Sequence, residues 1–156
     1  MTDNKPELLR FLRERVEEVI AADDAPDRKL ERVCRMLADG LTTFDWVGIY
    51  RVDAGRRELV LGPYVGQPTE HVRIPFGRGV CGQVAESRRT LVVNDVAAEP
   101  NYLSCSAAVR SEIVVPIFRG GAMVAQLDID SHTAAAFAAE ERRFVEDVAA
   151  HLGELI

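Results

Sequence analysis

The spacing of apolar residues changes twice along this chain, and that change limits the folds open to it. From Pro6 to Ala22 the apolar positions Leu8, Leu9, Leu12, Val16, Val19 and Ile20 recur every three or four residues, which marks an amphipathic helix. Asp23-Asp24-Ala25-Pro26 ends that helix and caps a second one, with proline near its first turn. The second helix carries Leu30, Val33, Cys34, Leu37 and Leu41 on one face. From Trp46 to Val52 the chain turns β-branched and aromatic, which predicts a strand. Asp53 to Arg56 is a turn, and Glu58 to Leu61 returns as the second arm of a hairpin. His71 to Pro75 predicts a short strand, Val80 to Ser87 a short helix, and Leu91 to Val93 another strand. Asp95 to Arg110 is polar, contains Pro100 and has little periodicity. A loop of that length inside a compact domain is often functional. Glu112 to Phe118 and Ala122 to Asp130 pair around Gly120-Gly121. Helical spacing then returns at Phe144, Val148 and Leu152, in a last helix from about Ala138 to Leu155. This order predicts an α+β domain with helices packed on one face of an antiparallel sheet.

Charge narrows the partners. The chain has 19 basic and 25 acidic residues, a formal charge of −6. That argues against nucleic acid and against an anionic membrane surface. No apolar run approaches the roughly 18 residues of a membrane span. Met1 to Arg13 is charged throughout and lacks a signal-peptide core, so a cytoplasmic location is expected. In that compartment Cys34, Cys81 and Cys105 are kept mostly reduced, and a disulfide among them would be transient and catalytic rather than structural.

Two of these cysteines lie in places suited to chemistry. Cys81 follows Gly77-Arg78-Gly79-Val80 at a helix start, where backbone N–H groups and the helix dipole favour anions and would lower a thiol pKa. The competing reading is a glycine turn with a buried, inert cysteine. Cys105 lies on the long polar loop, in Tyr102-Leu103-Ser104-Cys105-Ser106, with no packing role to explain it. Together they suit a cycle in which one thiolate becomes a sulfenic acid and the second thiol condenses with it. Cys34 lies on the apolar stripe of the second helix and reads as core.

The acids form a second group. Asp128 and Asp130 are two apart on a strand, so their side chains share a face, and like charges side by side can keep a proton on one of them. Pairing around Gly120-Gly121 brings Glu112 to the same end. Three carboxylates there call for a cation: a substrate ammonium, a metal or an arginine. The plain alternative is an exposed strand end with Arg110 or Arg119 nearby. His71, His132 and His151 show no metal-ligand spacing and the cysteines form no C-x-x-C pair, so neither a metal nor a cofactor is expected. Trp46 and Tyr50 share a strand face and could wall a pocket or simply fill core.

Four blocks in order, Trp46 to Tyr50, Arg73 to Gly82, Ser111 to Ile117 and Leu127 to Ser131, resemble the free methionine-(R)-sulfoxide reductases. The resemblance runs from about residue 40 to the C-terminus. It implies a single GAF domain over residues 1–156: N-terminal helices over 1–40, then sheet, pocket and closing helix over 41–156. That fold has a central antiparallel sheet, helices on one face and a ligand pocket on the other. It implies free methionine sulfoxide as substrate and a thioredoxin-like dithiol as reductant. Cys105 is then the nucleophile and Cys81 its resolving partner. Glu112, Asp128 and Asp130 surround the substrate, and Trp46 and Tyr50 form its aromatic wall. The family commonly has a further cysteine at the position of His71, and this chain departs from it there. The rival reading is a non-catalytic GAF module that senses a small ligand or redox state, whose first and last helices could pair in a homodimer.

Overall fold

A computed structural model describes residues 4–104 and 106–156. Two helices open the chain, α1 (Lys5–Ala21) and α2 (Pro26–Gly40). Strands β1 (Trp46–Asp53), β2 (Glu58–Val65) and β3 (Arg73–Pro75) follow, then helix α3 (Gly79–Ser87) and strand β4 (Leu91–Val93). After one 3-10 turn at Val96–Ala98 come β5 (Ser111–Arg119), β6 (Ala122–Ser131) and α4 (Ala139–Leu152). The six strands form one antiparallel sheet in the order β3-β2-β1-β6-β5-β4.

Strand alternation sorts the side chains into two layers. Val47 and Ile49 of β1, Ile113, Val115 and Ile117 of β5, and Leu127 and Ile129 of β6 point to one face, where α1, α2 and α4 bury them. Each fully buried aliphatic side chain there contributes about 1.5–3 kcal/mol. Glu141 joins two of these helices. Its carboxylate accepts the Ala138 N–H at 3.0 Å, capping α4, and the Lys5 Nζ of α1 at 2.5 Å.

The opposite face carries Trp46, Tyr50, Leu59 and Val114, covered by Val80, Cys81 and Val84 of α3. The helices therefore do not all lie on one face: α3 crosses to the other and roofs the pocket. Two smaller expectations also change. The first residues of α2 are not capped by Asp23 or Asp24, because the cap position is Ala25. Asp24 instead accepts the Ala25 N–H and faces Arg28 and Arg32. The strand expected from His71 begins at Arg73, because the N–H groups of His71 and Val72 are bonded within their own turn, to Thr69 Oγ1 and the Glu70 carbonyl.

Candidate active site

Strand register builds the site. On the pocket face three rows run across β1, β6 and β5: Trp46 beside Asp130 beside Glu112, then Gly48 beside Asp128 beside Val114, then Tyr50 beside Gln126 beside Pro116. Directly opposed residues have Cβ atoms about 4.5–5.5 Å apart. The pairing expected of Glu112, Asp128 and Asp130 is therefore present. The exposed strand end with an arginine is not: Glu112 is 5% exposed, Asp128 2% and Asp130 1%, and no salt bridge reaches them among the described residues.

Cys81 completes the group from above. Its thiol donates to Asp128 Oδ2 at 3.3 Å, and its backbone carbonyl accepts the Gln126 Nε2–H at 3.2 Å. Gln126 is fully buried and belongs to the same face as the aspartates, two residues before Asp128. Sequence reasoning passed it over, although that spacing was the available signal.

Burial raises every pKa in this cluster. It holds the Glu112 carboxyl well above the usual range, and the charges of Asp128 and Asp130 push it further. Asp130 is also well above its ordinary value, by burial and then by Asp128. Asp128 is raised by burial, against the opposing pull of hydrogen bonds from Glu112 and Cys81. Among the described residues Asp128 Oδ1 and both Asp130 carboxylate oxygens are buried without a hydrogen-bond partner. The Cys81 thiol is pushed well above its ordinary value by burial first and by Asp128 and Glu112 next. This corrects the expectation of a lowered pKa at the helix start. Burial among carboxyls outweighs the helix dipole, and Cys81 rests as a thiol.

The glycine turn before α3 is not an open anion nest either. The Gly79 N–H is taken by Asn101 Oδ1 at 2.8 Å and the Gly77 N–H by the Gly82 carbonyl. Asn101 also donates through Nδ2 to the Gly77 carbonyl at 2.9 Å, and Gln83 Nε2 donates to the Asn101 carbonyl. These bonds clamp the long loop to α3. Gly79 has φ +68°, and a Cβ there would stand 2.9 Å from Leu103 Cγ, so only glycine lets the loop lie this close. Sequence reasoning missed Asn101 and Gln83 as well.

Trp46 and Tyr50 stand on the pocket face of β1. Trp46 stacks on Tyr64 with centroids 5.4 Å apart, and its Nε1–H donates to the Gln67 carbonyl. Its indole lies across Gly48, where a Cβ would come within 2.3 Å of the ring. Tyr50 donates its hydroxyl to the His71 carbonyl at 2.8 Å.

Cys105, the nucleophile expected from the sequence, lies outside the described residues. Its neighbours do not. Ser104 offers its carbonyl to His71 Nε2 at 2.9 Å. Ser106 lines a cavity of about 40 Å³ with Trp46, Asp130 and His132. A smaller cavity of about 10 Å³ is lined by Tyr50, His71, Cys81, Glu112 and Asp128. The ligand atoms of Cys81, Glu112 and Asp128 all lie within 4.8 Å of one another, close enough to hold a small cation. A groove of about 870 Å³ lies elsewhere, between α1, α2 and β2. It is lined by charged side chains such as Arg15, Glu31 and Arg35 and holds no thiol, so the chemistry belongs to the sheet face with α3.

A GAF domain family model matches residues 23–156. The chain belongs to the GAF domain family. Among its GAF relatives, the free methionine-R-sulfoxide reductase of Escherichia coli is 31% identical over 98% of this chain and 91% of that protein. GAF domain-containing protein A of Dictyostelium discoideum is 33% identical over 93% of this chain and 90% of its own length. The crystal structure of the free methionine-R-sulfoxide reductase from Neisseria meningitidis, in complex with its substrate, superposes with a TM-score of 0.92 at 38% identity, covering 99% of this chain and 91% of that one. No helix among the described residues of this GAF domain is long and apolar enough to cross a membrane.

Proposed function

We propose that this protein reduces free L-methionine-(R)-S-oxide to L-methionine by thiol chemistry, with Cys105 as nucleophile, Cys81 as resolving thiol and the 156 residues acting as one GAF domain. The observation that carries the reading is the buried triad Glu112, Asp128 and Asp130 against Cys81, with no cation from the described residues in an ion pair with it. An α-ammonium group answers that charge, and it is present on a free amino acid but absent from a methionine inside a peptide. The relatives and the substrate complex described above support the same substrate class.

The Cys105 thiolate attacks the sulfoxide sulfur. The S–O bond breaks as the oxygen passes to Cys105, leaving methionine and a Cys105 sulfenic acid. The departing oxygen takes a proton, and an acid of the triad held protonated by burial supplies it. Trp46 and Tyr50 enclose the methyl group. Backbone N–H groups of the loop around Cys105 hold the substrate carboxylate. Cys81 then condenses with the sulfenic acid, forming a disulfide and releasing water. Asp128, which accepts the Cys81 S–H, can take that proton as the sulfur attacks and return it to the departing hydroxide, which leaves as water. A thioredoxin-like dithiol returns both cysteines to thiols by exchange. We assign the reaction to the cytoplasm, where such dithiols are kept reduced.

The test is reductant-coupled turnover on free methionine-R-sulfoxide, with the S epimer and a peptide-bound sulfoxide as controls. Consumption of the free R form alone, abolished in Cys105→Ser, is the expected result. A sensor would consume no stoichiometric reductant, and turnover that survives Cys105→Ser would remove Cys105 from its role.

A further inference from the structure

We infer that His71 positions the loop carrying Cys105, by holding the Ser104 carbonyl one residue before the nucleophile. The inference deepens the proposed function and rests on it.

His71 Nε2 lies 2.9 Å from the Ser104 carbonyl, across 33 residues of sequence. A carbonyl oxygen only accepts, so this partner requires the hydrogen on Nε2. The histidine is itself held firmly. Its carbonyl accepts the Tyr50 hydroxyl at 2.8 Å and its N–H donates to Thr69 Oγ1 at 3.1 Å. The next residue, Val72, accepts the Leu61 N–H of β2 at 2.9 Å. Tyr50 is 1% exposed and stands beside Gln126 in the sheet register. A continuous line of hydrogen bonds therefore runs from the centre of the sheet through Tyr50 and His71 to Ser104.

The loop has a second anchor just upstream. Asn101 is bonded to Gly77 and Gly79, and Leu103 lies against Gly79. Asn101 and Ser104 thus fix the stretch before residue 105 to two different places, α3 and the β2–β3 connection that Tyr50 of β1 holds. The His71 side chain also lines the small cavity of Cys81, Glu112 and Asp128. His71, the residue that holds Ser104, thus stands at the same cavity as the triad and Cys81. Attack needs the reacting atoms about 3–3.5 Å apart and aligned, so loosening this anchor reduces the productive fraction. His71 acts through Ser104 and is a positioning residue: its Nε2 proton is engaged by the backbone.

The test compares the wild type with His71→Ala and His71→Gln. The side chain is partly exposed, so neither change removes core packing. A glutamine amide places an N–H about where the imidazole Nε2–H stands; alanine places none. The first measurement needs no substrate: hydrogen exchange at the backbone amides of residues 102–110. Exchange is expected to be faster in His71→Ala and to return toward wild type in His71→Gln. The second is turnover of free methionine-R-sulfoxide. His71→Ala is expected to lower kcat about threefold to tenfold, the worth of one neutral hydrogen bond, with KM unchanged and with most of the loss recovered in His71→Gln. Unchanged exchange and kcat in His71→Ala would overturn the inference. So would a glutamine variant as impaired as the alanine one, or a loss confined to KM. A wild type that turns over no sulfoxide but shows the expected exchange pattern would sink the proposed function and leave the anchor standing.

Discussion

Replacing Asp130 with asparagine should change how the stability of this protein depends on pH. Asp130 is 1% exposed, and burial together with the Asp128 charge holds its carboxyl well above the ordinary range. Such a group keeps its proton longer folded than unfolded. Above the unfolded carboxylate pKa the folded state therefore binds more protons, and stability falls as pH rises toward the folded pKa. The limiting slope is about 1.4 kcal/mol per pH unit for each such proton. For each pH unit above the unfolded carboxylate pKa and below the folded one, one proton accounts for up to about 1.4 kcal/mol, or about 3–5 °C in melting midpoint for a domain of this size. Glu112 and Asp128 are raised too and titrate with Asp130 as one cluster, so the steps belong to the triad. Asparagine cannot ionise, and it also relieves the other two acids of one charge. A buried amide without a partner costs about 1–3 kcal/mol, but that cost is the same at every pH. The slope is therefore the test, not the height. Melting midpoints of wild type and Asp130→Asn across this range should show the wild type losing stability toward neutral pH more steeply. Groups away from the triad are the same in both proteins and cancel in the difference. Parallel curves would refute the claim that burial raises the Asp130 carboxyl in the folded state.

Gly48→Ala should displace the Trp46 indole, because the new Cβ would stand 2.3 Å from Cη2 and 2.5 Å from Cζ3. Overpacking of this kind costs about 1–3 kcal/mol. Trp46 is the sole tryptophan, so its emission reports the move directly, and KM for the sulfoxide should rise with it. Unchanged emission and KM would show that the ring does not depend on Gly48. Burial, aided by the Glu31 charge, pushes the Cys34 thiol up to about 12. Because the thiolate is the nucleophile, iodoacetamide near neutral pH should leave Cys34 unmodified in the native protein and label it only after denaturation. Peptide mapping reads the outcome, and native-state labelling of Cys34 would show an opening that the packed core does not allow.

Much of the fold was legible in the sequence because periodicity is a local property. The three longer helices, the β1–β2 hairpin and the β5–β6 pair around Gly120-Gly121 all follow from residues close together in the chain. The same logic placed Trp46 with Tyr50 and Asp128 with Asp130 on shared faces. α3 was legible as a helix but not as the one that crosses the sheet, since its side is decided by the chain path between β3 and β4.

The character of the site was not legible, because it depends on what covers a face rather than on which residues share it. Glu112, Asp128 and Asp130 would be ordinary ionised acids if water reached them. They are perturbed because Cys81 arrives from 47 residues away on α3 and because Asn101 and His71 draw the long loop across the pocket. The same cover turns Cys81 from an expected thiolate into a resting thiol. That reversal sharpens the division of labour between the cysteines. A thiol buried among acids is poorly suited to attack first and well suited to act second, once a sulfenic acid has formed. The order of events that the family resemblance implied, Cys105 and then Cys81, thus gains a second support from burial that no spacing rule could have supplied.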